Sequence, residues 1–242
     1  MPSRVSRSAL RSGESNPKWL APFHAGARFS AAERFSCRGY KPEPVPHDAL
    51  EKLVKMVQTT PSWCNVQPWE VWITEGDATR RLREELAGHL GDMPAPDLPH
   101  PESYTGASQD RRRACGWALY DAVGVKKGDR EGSAKQALRN FAFFDAPHVA
   151  VLTSAKALGV YAAVDCGVWL GHFLLAAQSL GLGAIAQAAP TAFSPFLHQH
   201  LAIPAERQIV CCIALGYPDR DEAANKFRTT RVPIEESIRW VK

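Results

Sequence analysis

A chain of 242 residues is long enough for one large or two small domains, and 45% apolar with 22% charged residues excludes intrinsic disorder over its whole length. No uninterrupted apolar run approaches the roughly 18 residues of a membrane span. A net charge of +4 is too small by itself to argue for nucleic acid, although it favours a small anionic ligand where arginines converge.

Residues 1–27 are rich in serine and arginine, with no acid before Glu14, and read as a flexible N-terminal extension that could imitate a transit peptide. The three prolines of KPEPVP after Tyr40 exclude a helix interior. Leu50, Leu53, Val54 and Val57 fall at i, i+3, i+4, i+7, which predicts an amphipathic helix over 47–58. WEVWI (69–73) reads as a strand with its turn at Gly76-Asp77, and Leu82, Leu86 and Leu90 mark a helix from about Thr79. Residues 91–110 carry four prolines and predict a long loop, functional or mobile. Arg111-Arg112-Arg113 then leads into a helix to about Val125; the triplet is a solvated helix start or a contact to phosphate or an acidic substrate.

HVAVL (148–152) predicts a second strand, and Val160–Leu180 a helix apolar on most sides and therefore buried, stopped by Gly181. GAIA (183–186) is a short strand, and Ser194-Pro195 starts a helix to about Leu201. IVCCIAL (209–215) is near-continuously apolar, so it belongs in the middle of its sheet. The tail is polar but ends with Ile234, Ile238 and Trp240, which need a surface to bury against. Helices and strands mixed without an internal repeat place the chain in the α+β or α/β class around one sheet.

Several motifs are rejected on geometry. Gly181-Leu182-Gly183-Ala184-Ile185-Ala186 fits G-x-G-x-x-A, but a helix precedes it and a strand follows, the reverse of a dinucleotide fingerprint. His198 and His200, two apart on a helix, point about 200° apart and read as surface histidines, so no metal site is expected. Cys64 has no evident base to make it a nucleophile. The six cysteines, Cys37, Cys64, Cys115, Cys166, Cys211 and Cys212, include no C-x-x-C pair and read as free thiols of a reducing cytoplasm.

Three stretches carry more. Arg34-Phe35-Ser36-Cys37-Arg38 offers two bidentate forks flanking a hydroxyl, suited to a phosphate. Pro61-Ser62-Trp63-Cys64-Asn65-Val66-Gln67-Pro68-Trp69 is an amide-rich loop between helix and strand, and Arg228 and Arg231 add two cations at a three-residue spacing. In this order, with Ala146-Pro147 before a strand and Gly216-Tyr217-Pro218 after another, they resemble the nitroreductase family of flavin oxidoreductases over roughly 28–242.

The resemblance implies an α+β nitroreductase-like FMN-binding fold: a mostly antiparallel sheet flanked by helices in an intertwined homodimer, with FMN at the subunit interface. It implies that Arg34 and Ser36, with the neighbouring Phe35, serve the FMN phosphate site, and that Arg38 reaches the pyrimidine edge of the ring. It also implies that Pro61, Ser62, Trp63 and Asn65 come from the partner subunit, that Gln187 and Ala188 line the ring, and that Arg231 with Arg228 closes the phosphate site. Where the family often has an acid or glycine, this chain has Ala188-Ala189, so contact there is through backbone. Residues 91–135 fall where the family varies its active-site cover. The implied activity is ping-pong reduction of nitroaromatics, quinones or similar electron-poor acceptors by NADH or NADPH, with no catalytic side chain and no metal. Reductive dehalogenation, enone reduction or dehydrogenation on the same scaffold, or flavin binding with little turnover, are the alternatives. Neither nucleic acid nor membrane is an expected partner.

Overall fold

The alternation of apolar residues in the two longest strands decides the architecture. In the computed structural model, which describes residues 33–242, β2 (His148–Ala155) sends Val149 and Val151 to one side and Ala150 and Leu152 to the other, and all four are fully buried. β4 (Arg207–Gly216) does the same with Cys212 and Ala214 against Cys211, Ile213 and Leu215. Both faces are covered, so these strands read as continuous apolar runs. A bulge after Leu152, with Leu152 opposite Cys211 but Thr153 opposite Ile209, inserts Val210 as an extra residue. The insertion flips the parity of the strand, and Ile209 thereby packs on the side of Cys212 rather than Cys211.

With β1 (Trp69–Thr74) and β3 (Gly183–Gln187), the sheet runs β1-β2-β4-β3 with every neighbouring pair antiparallel. β4 is central, as its composition predicts. One face carries α1 (His47–Val57) and α5 (Gly159–Ser179); the other carries α2 (Asp77–Gly88) and α6 (Ser194–His200). The two cores are separate: Leu50, Leu53, Val57, Trp169 and Phe173 on the first face, Leu82, Leu86, Phe143, Phe144 and Leu197 on the second. His148, buried in β2, accepts from Val45 N–H at Nε2 (2.9 Å) and lies 3.2 Å from Thr74 O at Nδ1, so both ring nitrogens are engaged. Burial pushes its pKa below the ordinary histidine value, and the neutral ring is the form that pins the segment before α1 to β1.

Three expectations change. The helix at the arginine triplet, α3 (Gly106–Ala122), starts five residues earlier, behind Thr105. A further helix, α4 (Arg130–Leu138), was not expected; its start is capped by Asp129, which accepts from Gly132 N–H at 2.8 Å. α3 buries no residue completely and α4 only Gln136, so neither carries an apolar stripe for a periodicity reading to find. The third concerns α5, expected to be buried all round. One side is: Ala162, Cys166, Trp169, Phe173, Ala176 and Ala177. The other leaves Val160, Tyr161, Val164, Val168 and Leu175 exposed, with Gly167 and Gly171 between them. The segment Lys156–Ser179 is long and apolar enough to cross a membrane by length and composition, with mean hydropathy 1.5 over its most apolar stretch. Its packing against the sheet is that of a core helix with an unpartnered outer face. α5 ends at Ser179, and Gly181 takes the left-handed conformation (φ +75°) that lets Leu182 N–H return to Ala177 O at 2.9 Å.

The 91–105 stretch is tied down rather than loose. Asp97 accepts from Ile209 N–H (2.7 Å) and pairs with His198 Nε2 (2.7 Å), while Ala95 N–H donates to Ala192 O (2.7 Å). His198 and His200 are accordingly not surface residues. Each is mostly covered and engages a different acid, His198 with Asp97 and His200 with Glu85. A short final helix, α7 (Ile234–Ser237), leaves Ile234, Ile238 and Trp240 exposed. The N-terminal extension expected over 1–27 lies outside the described residues.

Candidate active site

The arginine-rich segment reaches the sheet because β3 has an open edge and a glycine. Ser36 bridges Ala184 in parallel, and Cys37 N–H donates to Ala184 O at 3.3 Å. At Gly183 a Cβ would lie 2.7 Å from Cys37 Sγ, so only glycine lets the segment lie this close. The segment is extended and alternates. Phe35 and Cys37 pack into the core, while Arg34, Ser36 and Arg38 stay partly accessible. Burial pushes the Cys37 thiol up to about 11, and it serves as a core anchor.

The C-terminal arginines come to the same place through Asn225. This side chain accepts from Arg38 N–H (2.7 Å) and donates to Gly39 O (2.8 Å) and Asp219 O (2.7 Å). It thereby clasps residues 38–39 to the tail. The Arg228 guanidinium lies over the Phe35 ring, 4.3 Å from its centroid, and donates to Asn225 O (2.7 Å). Phe35 is thus the shelf under Arg228. Among the described residues Arg231 donates only to Thr229 Oγ1 and to Thr230 O.

Arg34, Arg228 and Arg231 form a three-cation cluster. Burial, then the repulsion of Arg231 and Arg228, holds the Arg34 pKa below the ordinary guanidinium value. Among the described residues none of the three pairs with a carboxylate. Charges so arranged repel one another unless an anion sits between them.

Arg38 belongs to a different neighbourhood. Its guanidinium donates to Ser36 O (3.2 Å), lies 5.3 Å from the centroid of Phe227, and has Cys115, Tyr40 and Cys37 as its electrostatic neighbours. Burial lowers its pKa below the ordinary guanidinium value. At the end of β3, Gln187 is buried and donates to Asn140 O (2.8 Å), while its Oε1 has no donor among the described residues. Ala188 beyond it is exposed.

The loop of Pro61, Ser62, Trp63 and Asn65 is elsewhere. Trp63 N–H is shared by the two carboxylate oxygens of Asp165 on α5, each at 3.2 Å. The Trp63 ring meets Tyr161 at 4.5 Å, and Ser62 Oγ accepts from Gln67 N–H (2.8 Å). Cys64, Asn65 and Gln67 all have positive φ (51°, 56° and 49°), a strained run in an exposed loop. Cys64 is exposed and has no hydrogen-bonded base among the described residues. No hydrogen bond, ion pair or ring contact among the described residues joins this loop to the arginine cluster. The loop sits instead beside the exposed face of α5.

Sequence reasoning missed Asn225, Asp165 and Arg207. Asp165 had a signal, being the lone acid in an otherwise apolar helix. Arg207 is buried and donates to Pro68 O (2.9 Å), Thr153 Oγ1 (2.6 Å), Thr153 O (3.1 Å) and Glu70 (2.7 Å), fixing the end of the strained loop to the sheet. Asn225 acts entirely through distant contacts and had none.

Residues 31–217 match the model of the Nitroreductase family. The chain is 30% identical over 214 residues to a 4-nitrobenzoate reductase of Nocardioides sp. (strain LMS-CY), covering 86% of this chain and 87% of the relative. It is 28% identical over 213 residues to a chloronitrobenzene nitroreductase of Comamonas testosteroni, covering 86% and 94%. The crystal structure of the FMN-dependent nitroreductase NfnB of Mycobacterium smegmatis in complex with NADPH superposes with a TM-score of 0.85 at 27% identity, covering 90% of this chain and 98% of that one. A four-stranded antiparallel sheet clad on both faces, an arginine segment laid on the edge of β3, and these matches over most of the length lead to one conclusion: the chain belongs to the nitroreductase family.

Proposed function

We propose that this protein is an FMN-dependent oxidoreductase that oxidises NADH or NADPH and reduces nitroaromatics, quinones or similar electron-poor acceptors. The observation that carries the reading is the three-arginine cluster, without a carboxylate partner among the described residues, beside Ser36 at the open edge of β3. A terminal phosphate dianion suits it: Arg34, Arg228 and Arg231 offer bidentate forks and Ser36 a hydroxyl. Gln187 Oε1, without a donor among the described residues, and the exposed Ala188 suit a polar ring edge. Bound FMN supplies the redox chemistry, exchanging hydride with the donor and electrons with the acceptor. Arg38 places a fixed cation at the pyrimidine edge, where negative charge accumulates on reduction. No side chain of this chain acts as a nucleophile. α3 and α4 form the cover over the site, and their shallow burial suits a segment that sets access. The six free thiols fit a reducing cytoplasm.

The test is the identity of the cofactor. Cofactor released by heat from the purified full chain should elute as FMN on chromatography; FAD would contradict the single-phosphate reading.

The working unit is a homodimer. The α5 stripe, the Trp63 loop beside it, and the tail residues Ile234, Ile238 and Trp240 are exposed apolar surface of the kind that a partner covers. A second copy supplies Pro61, Ser62, Trp63 and Asn65 to the first copy's flavin. Light scattering at low micromolar concentration should give twice the 26.6 kDa chain mass, and Val164→Glu on the α5 stripe should lower both that mass and flavin occupancy. A flavin-loaded species of single-chain mass would rule the dimer out.

A further inference from the structure

The arginine triplet on α3 has no role in the scheme above, and the structure separates its three members. Arg112 stacks over the Tyr104 ring, 5.2 Å from the centroid. Arg113 is exposed. Arg111 lines a cavity of about 890 Å³ between α3 and the tail. The α3 wall of this cavity is Arg111, Ala114, Cys115 and Ala118, at i, i+3, i+4 and i+7, so they share one helix face. The opposite wall runs from Arg228 to Pro233.

Three features give Arg111 a ligand-directed character. The first is charge. Arg34, Arg228 and Arg231 already match one phosphate dianion, so Arg111 is a fourth cation facing the same space. The second is its weak internal pairing. Its only ion-pair partner among the described residues is Glu236, 3.9 Å away with both side chains more than half exposed, a contact that an incoming anion can displace. The third is the shape of the wall. Ala114, Cys115 and Ala118 are small and leave room for a flat ring. Cys115, one turn from Arg111, lies within electrostatic reach of Arg38. Along α3, Arg111 and Cys115, the residue beside Arg38, are about one helical turn apart, ~5.4 Å. A single benzene ring with substituents at opposite ends has that span.

Resting on the flavin-site reading, we infer that Arg111 is a specificity-determining residue that binds an anionic oxygen group of the molecule exchanging electrons with the flavin. Two sources have this chemistry, a carboxylate on an aromatic acceptor and the additional phosphate of an NADPH donor.

The experiment compares kcat/KM in wild type, Arg111→Ala and Arg111→Lys, using the full flavin-loaded chain. One arm sets 4-nitrobenzoate against nitrobenzene as acceptor; the other sets NADPH against NADH as donor. Arg111→Ala should lower one of the two anionic-to-neutral ratios at least tenfold, chiefly through KM, as expected for the loss of one charge-assisted pair. Arg111→Lys should retain part of that preference, because the charge remains and the fork does not. The ratio that falls names the source of the anion. Both ratios within twofold of wild type would overturn the inference. So would a loss of FMN affinity with unchanged ratios, which would place Arg111 in the phosphate cradle instead. A wild-type chain that binds no flavin overturns the underlying reading and this inference with it, and it shows in the absorption spectrum before any variant is made.

Discussion

Arg34→Ala is expected to weaken FMN binding roughly tenfold to hundredfold while leaving the midpoint potential of the saturated protein near that of wild type. A charge-assisted bond to phosphate contributes about 1.5–3 kcal/mol, which is that range of affinity. Arg38→Ala is expected to behave differently. It should leave occupancy largely intact and lower the two-electron potential by roughly 30 mV or more, since 30 mV corresponds to about 1.4 kcal/mol of lost charge stabilisation. The structure supports this division of labour. Arg34 is coupled to Arg228 and Arg231, whereas Arg38 is coupled to Cys115, Tyr40 and Cys37, and neither has the other among the groups that shift it. Titration of apo-protein with FMN, followed by potentiometry of each saturated variant, checks both statements. Equal losses of occupancy with unchanged potentials would place Arg38 at the phosphate end.

The second large effect is on stability. Arg207→Met should destabilise the fold by about 2–4 kcal/mol, because it strips hydrogen-bond donors from buried acceptors that water cannot reach. The ion pair with Glu70 is the smaller part, since that carboxylate is more than half exposed. The larger part is Pro68 O and Thr153 Oγ1, which lose a fixed fork at the point where the β2–β4 bulge meets the strained loop. For a domain of this size the melting temperature should fall roughly 5–15 °C. Differential scanning calorimetry checks it. A shift under 2 °C would mean that the methionine packs as well as the arginine bonds.

What could be read from the sequence divides by where each residue does its work. α1, α2 and β4 were legible because their apolar positions meet one another through the sheet, and periodicity reports that directly. α4 was not, because it packs almost nothing and announces itself only through the Asp129 cap. α5 misled because its outer residues Val160, Tyr161, Val164, Val168 and Leu175 are as apolar as its buried ones and yet lie exposed. In the site, residue type and spacing made Arg34, Ser36, Arg38, Arg228 and Arg231 candidates, and the family resemblance proposed their roles. Spacing could not show that Asn225, 187 positions from Arg38, clasps the two ends together. Nor could it show that His198 is spent on Asp97, 101 positions away. Long-range polar contacts leave no local pattern, so Asn225 and Arg207 emerged only from the fold, and Asp165 stood out only as the lone acid of α5.

Arg34, Ser36, Arg38, Arg228 and Arg231 are proposed to hold a flavin that a nicotinamide donor reduces. The absorption spectrum of the purified full chain, recorded anaerobically before and after NADPH or NADH, tests this proposal most directly. The expected result is a flavin spectrum that bleaches on adding the donor and returns when a nitroaromatic is added. Bound flavin that neither donor bleaches would make the protein a carrier rather than an oxidoreductase, and a spectrum without flavin after incubation with FMN would contradict the account altogether.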